Sequence, residues 1–278
     1  MNNGMVKNWM SSPVIFIDKE MKLTDARKII NEKQIRVLPV VENDQLVGII
    51  TRRGLLRLDL SFLEDEIKFV DNDPAEKKVG EVMTRNVITI APQTLVPKAA
   101  RIMLENKITA LPVMENGKMI GILTNSDLLR FILQEAGSLK KKLLVNQYMT
   151  DDVVTIDSYT SLLEAHRLMG TKRIRSLVVM DNDQLTGVVT RTDLMSSDPS
   201  NLASRNQQEL SLKILTQPVE KVMTSRLITI HQSSLITEAA ELMLKNKIHC
   251  LPVLNENNKL TGIITESDLF LMILQRFF

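Results

Sequence analysis

The chain has 278 residues, 44% hydrophobic and 24% charged, with a formal net charge of +2, the balance of an ordinary folded protein in water. That charge argues against a surface built for polyanions. One Trp and two Tyr leave few platforms for stacking bases, and no apolar run approaches the roughly 18 residues of a membrane span, so neither nucleic acid nor a membrane is the expected partner. The lone Cys250 excludes an internal disulfide, and with no charged-then-apolar leader the expected location is the cytoplasm.

In chain order, Met10-Ser11 precedes a short apolar strand from Val14 to Ile17, a helix through Ala26, a strand on Leu38-Pro39-Val40, and a closing stretch GIITRRGL from Gly48 to Leu55. The succession starts again at Met83-Thr84. Val87 to Ile90 reads as a strand; Leu95, Ala99, Ile102 and Met103 then fall at i, i+4, i+7 and i+8, one face of an amphipathic helix with Pro97 in its first turn. Two apolar runs, Ala110 to Met114 and Lys118 to Thr124, flank Asn116-Gly117, a dipeptide suited to a tight hairpin turn because both residues accept positive φ. A second helix carries Leu128, Leu129, Ile132 and Leu133 on a broad apolar face. Third and fourth copies open at Met149-Thr150 and Met223-Thr224, with strands Val153 to Ile156 and Leu227 to Ile230, closing stretches GVVTRTDL and GIITESDL, and an apolar face of Leu269, Phe270, Ile273 and Leu274 in the last helix.

The repeat is arithmetical. Sixteen residues after Met10, Met83, Met149 and Met223 stand Ala26, Ala99, Ala165 and Ala239; 28 after stand Leu38, Leu111, Leu177 and Leu251. A step of 38 reaches Gly48, Gly121 and Gly187, and 39 reaches Gly262, because the Asn255-Glu256-Asn257-Asn258 turn is one residue longer, an insertion a loop absorbs cheaply. The prediction is an α/β (α+β) fold of four β-α-β-β-α units, over 1–60, 77–135, 143–198 and 217–278, packed as two pseudo-twofold pairs. A lone unit of about 50 residues buries too little surface to stand alone, and the wide second-helix faces are expected to meet a neighbouring copy. Met10 to Met83 spans 73 residues, Met149 to Met223 spans 74 and Met83 to Met149 only 66, so the first and second units and the third and fourth are the expected pairs. Longer polar inserts fall inside the pairs, around Glu64 to Lys78 and Asp198 to Pro218, and the shorter Gln134 to Leu144 connection, with its Lys140-Lys141-Lys142 run, lies between them.

The Thr-x-x-Asp step that opens each second helix has two readings. Thr followed three residues later by an acid is a capping box. A helix N-terminus also presents free N–H groups and partial positive charge to a phosphate, and a carboxylate accepts both hydroxyls of a ribose. The two roles can coexist, at Thr124 with Asp127, Thr190 with Asp193 and Thr265 with Asp268. The first unit departs, with Gly54 where the acid would stand, so its site is expected to be empty or to bind differently.

The apolar strand, the Leu-Pro-Val run at Leu38, Leu111 and Leu251 (Leu177-Val178-Val179 in the third unit) and the closing Gly-h-h-Thr-x-x-Asp together resemble the cystathionine beta-synthase (CBS) domain family, whose tandem pairs are called Bateman modules. Four units without an attached enzyme or transporter resemble the gamma subunit of AMP-activated protein kinase and free-standing prokaryotic CBS proteins. The resemblance implies that Asp127, Asp193 and Asp268 hold ribose hydroxyls, assisted by Thr124, Thr190 and Thr265. A basic residue two before the Leu of the middle strand reaches phosphate in some members, which nominates Arg36, Arg175 and His249 where the second unit has Thr109; Arg52, Arg53 and Arg191 are nominated by their nearness to the helix starts. The alternative for these is a basic side chain snorkelling from a strand edge. The resemblance also implies aliphatic walls for adenine at Val87, Ile88 and Ile90, at Val153, Val154 and Ile156, and at Leu227, Ile228 and Ile230; as sequence alone, those residues would look the same if they were only core.

The three His, at 166, 231 and 249, form no triad or metal-ligand spacing and there is no glycine-rich phosphate loop, so a sensor is expected rather than an enzyme. It would bind AMP, ADP, ATP or another adenosyl compound as a regulatory ligand, signal to a partner protein, and form a homodimer through exposed helix faces. The rival is a ligand-free scaffold whose Thr-x-x-Asp steps only cap helices.

Overall fold

The computed structural model describes residues 4–52, 54, 55, 77–138, 142–196 and 215–277. Most of the two polar inserts, Lys140-Lys141 and Arg53 lie outside them. Unit 1 comprises β1 (Ile17–Asp18), α1 (Leu23–Glu32), β2 (Val37–Glu42) and β3 (Gln45–Thr51). Unit 2 comprises the short α2 (Val79–Val82), α3 (Val96–Glu105), β4 (Ala110–Glu115), β5 (Lys118–Thr124) and α4 (Asn125–Glu135). Unit 3 has β6 (Thr155–Ile156), α5 (Leu162–Thr171), β7 (Ser176–Asp181), β8 (Gln184–Thr190) and α6 (Arg191–Ser196). Unit 4 has β9 (Ile230–His231), α7 (Ile236–Asn246), β10 (Cys250–Leu254), β11 (Leu260–Thr265) and α8 (Glu266–Arg276).

Each unit holds one small sheet. Its hairpin is antiparallel, and the leading strand joins the middle one in parallel in β1-β2-β3, β6-β7-β8 and β9-β10-β11. In unit 2 that strand shrinks to one bridge, Ile90 to Val113. The leading strands are therefore much shorter than the four-residue apolar segments suggest, because only the final residues reach the middle strand. The turns bear out the positive-φ reading: Asn43-Asp44, Asn116-Gly117 and Asn182-Asp183 all have positive φ. In the longer fourth turn Asn255 Oδ1 instead accepts from the N–H groups of Asn257 and Lys259, both at 3.0 Å. Every first helix turns into its strand through a left-handed residue at the same place in the repeat: Gln34, Lys107, Arg173 and Lys247, at φ 53, 54, 55 and 55°.

The Met-to-Gly spacing has a cause that crosses units. Met10 packs on Gly121, Met83 on Gly48, Met149 on Gly262 and Met223 on Gly187. A Cβ on those glycines would lie 2.3, 2.3, 2.7 and 2.4 Å from the Met sulfur, so a side chain there would push the methionine out of its seat. Backbone bridges Ser11–Ile122, Ile49–Thr84, Thr150–Ile263 and Val188–Thr224 run alongside. Units 1 and 2, and likewise 3 and 4, thus exchange their leading segments, which fixes the pairs expected from the spacing.

The helix faces join the molecule differently from expectation. Among the described residues the main helix partners of α4 and α8 lie across the pairs: α3 packs on α8 and α4 on α7, so unit 2 meets unit 4. Leu128, Leu129, Ile132, Leu269, Phe270 and Ile273 share one core with the apolar faces of α3 and α7, each side chain contributing roughly 1.5–3 kcal/mol of burial. Trp9 stands edge-on to Phe131 at 5.2 Å, and Phe131 to Phe277 at 5.1 Å. Units 1 and 3 keep smaller cores of their own. The faces on which a homodimer was expected are covered within the chain, which removes that argument for one. No helix among the described residues is long and apolar enough to cross a membrane.

Candidate functional site

Strand β5, β8 or β11 delivers a Thr to the start of the second helix, and the acid three residues on folds back to it. Thr124 donates to Asp127 Oδ2 from its backbone N–H and its hydroxyl, both at 2.7 Å. The corresponding distances are 2.8 and 2.7 Å for Thr190 with Asp193, and 2.7 Å twice for Thr265 with Asp268. The capping reading therefore holds in all three. In unit 1 the hydroxyl cap survives without the acid: Gly54 N–H donates to Thr51 Oγ1 at 2.8 Å.

What differs is the other carboxylate oxygen. Asp127 Oδ1 accepts from Arg130 Nη1 at 2.5 Å and from Ser11 Oγ, on the exchanged segment of unit 1, at 3.3 Å. Asp127 is fully buried, with both oxygens occupied by protein donors. Asp193 and Asp268 are half-buried, and among the described residues no side chain donates to Asp268 Oδ1. Burial pushes the carboxyls of Asp127 and Asp268 upward, with the Thr donors pulling the other way.

The nominated basic residues meet at a hub between the pairs. In each unit the residue after the Thr donates its N–H to the carbonyl of the residue two before the middle-strand Leu: Arg52 to Arg36, Asn125 to Thr109, Arg191 to Arg175 and Glu266 to His249, at 2.8, 3.2, 2.9 and 3.0 Å. Four two-residue corners result, from the same offsets in four repeats. Arg36 of unit 1 reaches unit 4, donating Nη2 to the Lys247 carbonyl at 3.2 Å and placing Nη1 3.3 Å from His249 Nδ1 and 3.9 Å from Glu266 Oε1. Glu266 is 2% exposed; it lies 3.1 Å from His249 Nδ1 and accepts from Asn125 Nδ2 of unit 2 at 2.5 Å. Burial pushes its carboxyl up, but the His249, Asn125 and Arg36 groups outweigh that and hold it below the usual range. Burial lowers the Arg36 guanidinium; Glu266 opposes this, while Arg52 and Arg175 add to it. Arg175 turns to Ser267 Oγ at 3.4 Å.

Sequence reasoning missed Glu266, Asn125, Arg130 and Ser11. Reading the position after each Thr as one column, Arg52, Asn125, Arg191 and Glu266, was the signal that would have exposed the first two. Of the aliphatic walls, Ile90 and Ile230 are buried in the shared core, Val87, Val153, Val154, Ile156, Leu227 and Ile228 are half-buried, and Ile88 is 38% exposed. Cys250 is buried beside Ser176, and burial pushes its thiol up, away from nucleophilic use. His231 bonds Ser233 in an exposed turn, and His166 sits half-buried on α5.

Four stretches, 6–61, 79–134, 145–199 and 219–275, match the model of the CBS domain. Uncharacterized protein MJ1225 of Methanocaldococcus jannaschii is 27% identical over 277 residues, covering 95% of this chain and 96% of that one. Its crystal structure superposes with a TM-score of 0.74 at 25% identity, over 97% and 99% of the two chains. The gamma subunit of 5'-AMP-activated protein kinase from Dictyostelium discoideum is 23% identical over 290 residues, or 94% of this chain; the chain spans about half, 49%, of that relative.

Proposed function

The chain belongs to the CBS domain family, and from that premise we propose that it is a non-enzymatic regulatory protein. It binds an adenine nucleotide or related adenosyl ligand in clefts between paired units and passes the bound state to a partner protein in the cytoplasm. The observation that carries this reading is Asp268: its Oδ2 is fixed by Thr265 while Oδ1 takes no side-chain donor among the described residues, so an oriented carboxylate stands ready for a ribose diol. Asp193 repeats the cap in unit 3. Half-buried Val153, Val154, Leu227 and Ile228 supply aliphatic surface for the base, and Arg175 and Arg191 supply charge for phosphates. The ligand acts on the partner by favouring one arrangement of the two pairs over another.

A thermal-shift panel of adenine nucleotides and adenosyl compounds tests this. A ligand at about 100 times its Kd adds roughly 2.7 kcal/mol. The shift should fall in Asp193→Ala and Asp268→Ala; an unchanged shift in both variants rejects the ribose assignment. The ligand-free scaffold has one observation in its favour, Asp127, whose bonding is complete within the protein. No shift with any adenosyl compound would leave that reading standing.

A further inference from the structure

Each pair is held shut by the same small device. A methionine at the start of one unit lies with its sulfur against a glycine of the other, Met10 on Gly121, Met83 on Gly48, Met149 on Gly262 and Met223 on Gly187. The residue after each methionine then exchanges two backbone hydrogen bonds with a strand of that other unit: Ser11 with Ile122, Thr84 with Ile49, Thr150 with Ile263 and Thr224 with Val188, all between 2.8 and 3.1 Å. The thioether is the oxidisable group in this crossing, and nothing in the nucleotide reading uses it. The four seats differ in what can reach them. Met83 is 7% exposed, whereas Met10, Met149 and Met223 are half-buried, within reach of a solute as small as a peroxide.

We propose that Met10, Met149 and Met223 are sites of reversible oxidation by hydrogen peroxide or a related hydroperoxide, and that their sulfoxides release the exchanged segments. In that step a sulfur lone pair attacks one peroxide oxygen, the O–O bond breaks and an S–O bond forms. Sulfur gives up two electrons; the departing hydroxide takes the proton of the transferred oxygen and leaves as water. The thioether becomes a polar group with one more heavy atom. The glycine face has no room for that oxygen, since even a single carbon added there would displace the sulfur. The sulfoxide therefore turns out of its seat into water, and only the two bridge hydrogen bonds still hold the segment. Units 3 and 4 lose both of their seats, while units 1 and 2 lose one, because Met83 keeps Gly48 covered. The site is separate from the ribose carboxylates and does not rest on the adenosyl reading.

The test is treatment of the full chain with hydrogen peroxide, followed by peptide mass spectrometry and thermal melting. Met10, Met149 and Met223 should each gain one oxygen roughly tenfold faster than Met83, and the oxidised protein should melt several degrees below the untreated one. Met21, Met114, Met119 and Met180 are half-buried outside the seats and open to the same reagent, so a triple variant assigns the effect. Met10→Leu/Met149→Leu/Met223→Leu, a nearly volume-conserving change, should keep its melting temperature through the treatment. Met149→Leu/Met223→Leu should retain more of it than Met10→Leu does. Repair needs no variant: methionine sulfoxide reductases of both stereochemical types, with dithiothreitol, should return the parent to its untreated melting temperature. Seats oxidised no faster than Met83, oxidised seats without a fall in melting, a fall as large in the triple variant as in the parent, or a fall that repair does not reverse would each overturn the proposal.

Discussion

Helices α4 and α8 begin on the same box, with Thr124–Asp127 and Thr265–Asp268 bonded at the same 2.7 Å distances, yet one box is sealed and the other is open. Three residues beyond the acid stands Arg130 in α4, where its guanidinium closes on Asp127; in α8 the place belongs to Leu271, 47% exposed. Over α4 the exchanged segment brings Ser11 to the acid, and over α8 it brings Thr150, which pairs through its backbone with Ile263. The first residues of the two helices, Asn125 and Glu266, bond each other. The box therefore decides that a helix starts there, and side chains outside it decide whether the acid has anything left to offer a ligand.

The largest expected effect comes from removing the link between the two starts. Glu266→Ala leaves Arg36, His249 and Asn125 without their shared acceptor and should cost about 3–5 kcal/mol in urea unfolding; a loss under about 1 kcal/mol would mean the hub does not tie the pairs together. Next, Asp127→Ala should cost about 2–3 kcal/mol, because its fully buried carboxylate is the shared acceptor of Ser11, Thr124 and Arg130, against about 1 kcal/mol for Asp268→Ala, an ordinary lost cap. Equal losses would erase the distinction between sealed and open boxes. Ser11→Ala/Arg130→Ala should cost about 1 kcal/mol or less, since the Arg130 side chain is half exposed, but should raise the number of adenosyl sites by one in calorimetry. The smallest effect is in pH. Glu266 is held below its ordinary value, so its contribution is complete above the unfolded carboxyl value of about 4.3 and is lost as pH falls through the lower folded value. Asp268, pushed up by burial, works in the opposite sense: its contribution falls as pH rises from the unfolded to the folded value. Melting from pH 3 to 6 should show the acid-side loss in the parent and not in Glu266→Gln.

Much of this was legible in the chain. The Ala, Leu and Gly columns gave four units, the spacing gave the pairs, Asn116-Gly117 gave a hairpin turn, and Thr-x-x-Asp gave a cap. The rest failed for stated reasons. A methionine 38 residues before a glycine looks the same whether it packs on the glycine of its own unit or of its mate, so Met10 on Gly121 could not be told from Met10 on Gly48. An apolar face on α4 says that something covers it, and not that α7 does. Asp127 and Asp268 share a pattern three residues long, and what separates them comes from Arg130, one turn beyond it, and from Ser11, 116 residues away.

The exchange of leading segments sets an order of events during synthesis. When the first unit leaves the ribosome its Gly48 lies bare and its Met10 segment has no seat, since both partners belong to chain not yet made. Met83 covers Gly48 first, but the Met10 segment finds Gly121 only when β5 has emerged, a long-range closure of the kind that slows folding, and each pair is therefore the smallest length of nascent chain that can settle. The third and fourth units repeat the wait, and only when α7 and α8 arrive does the apolar face of α4, folded long before, leave water.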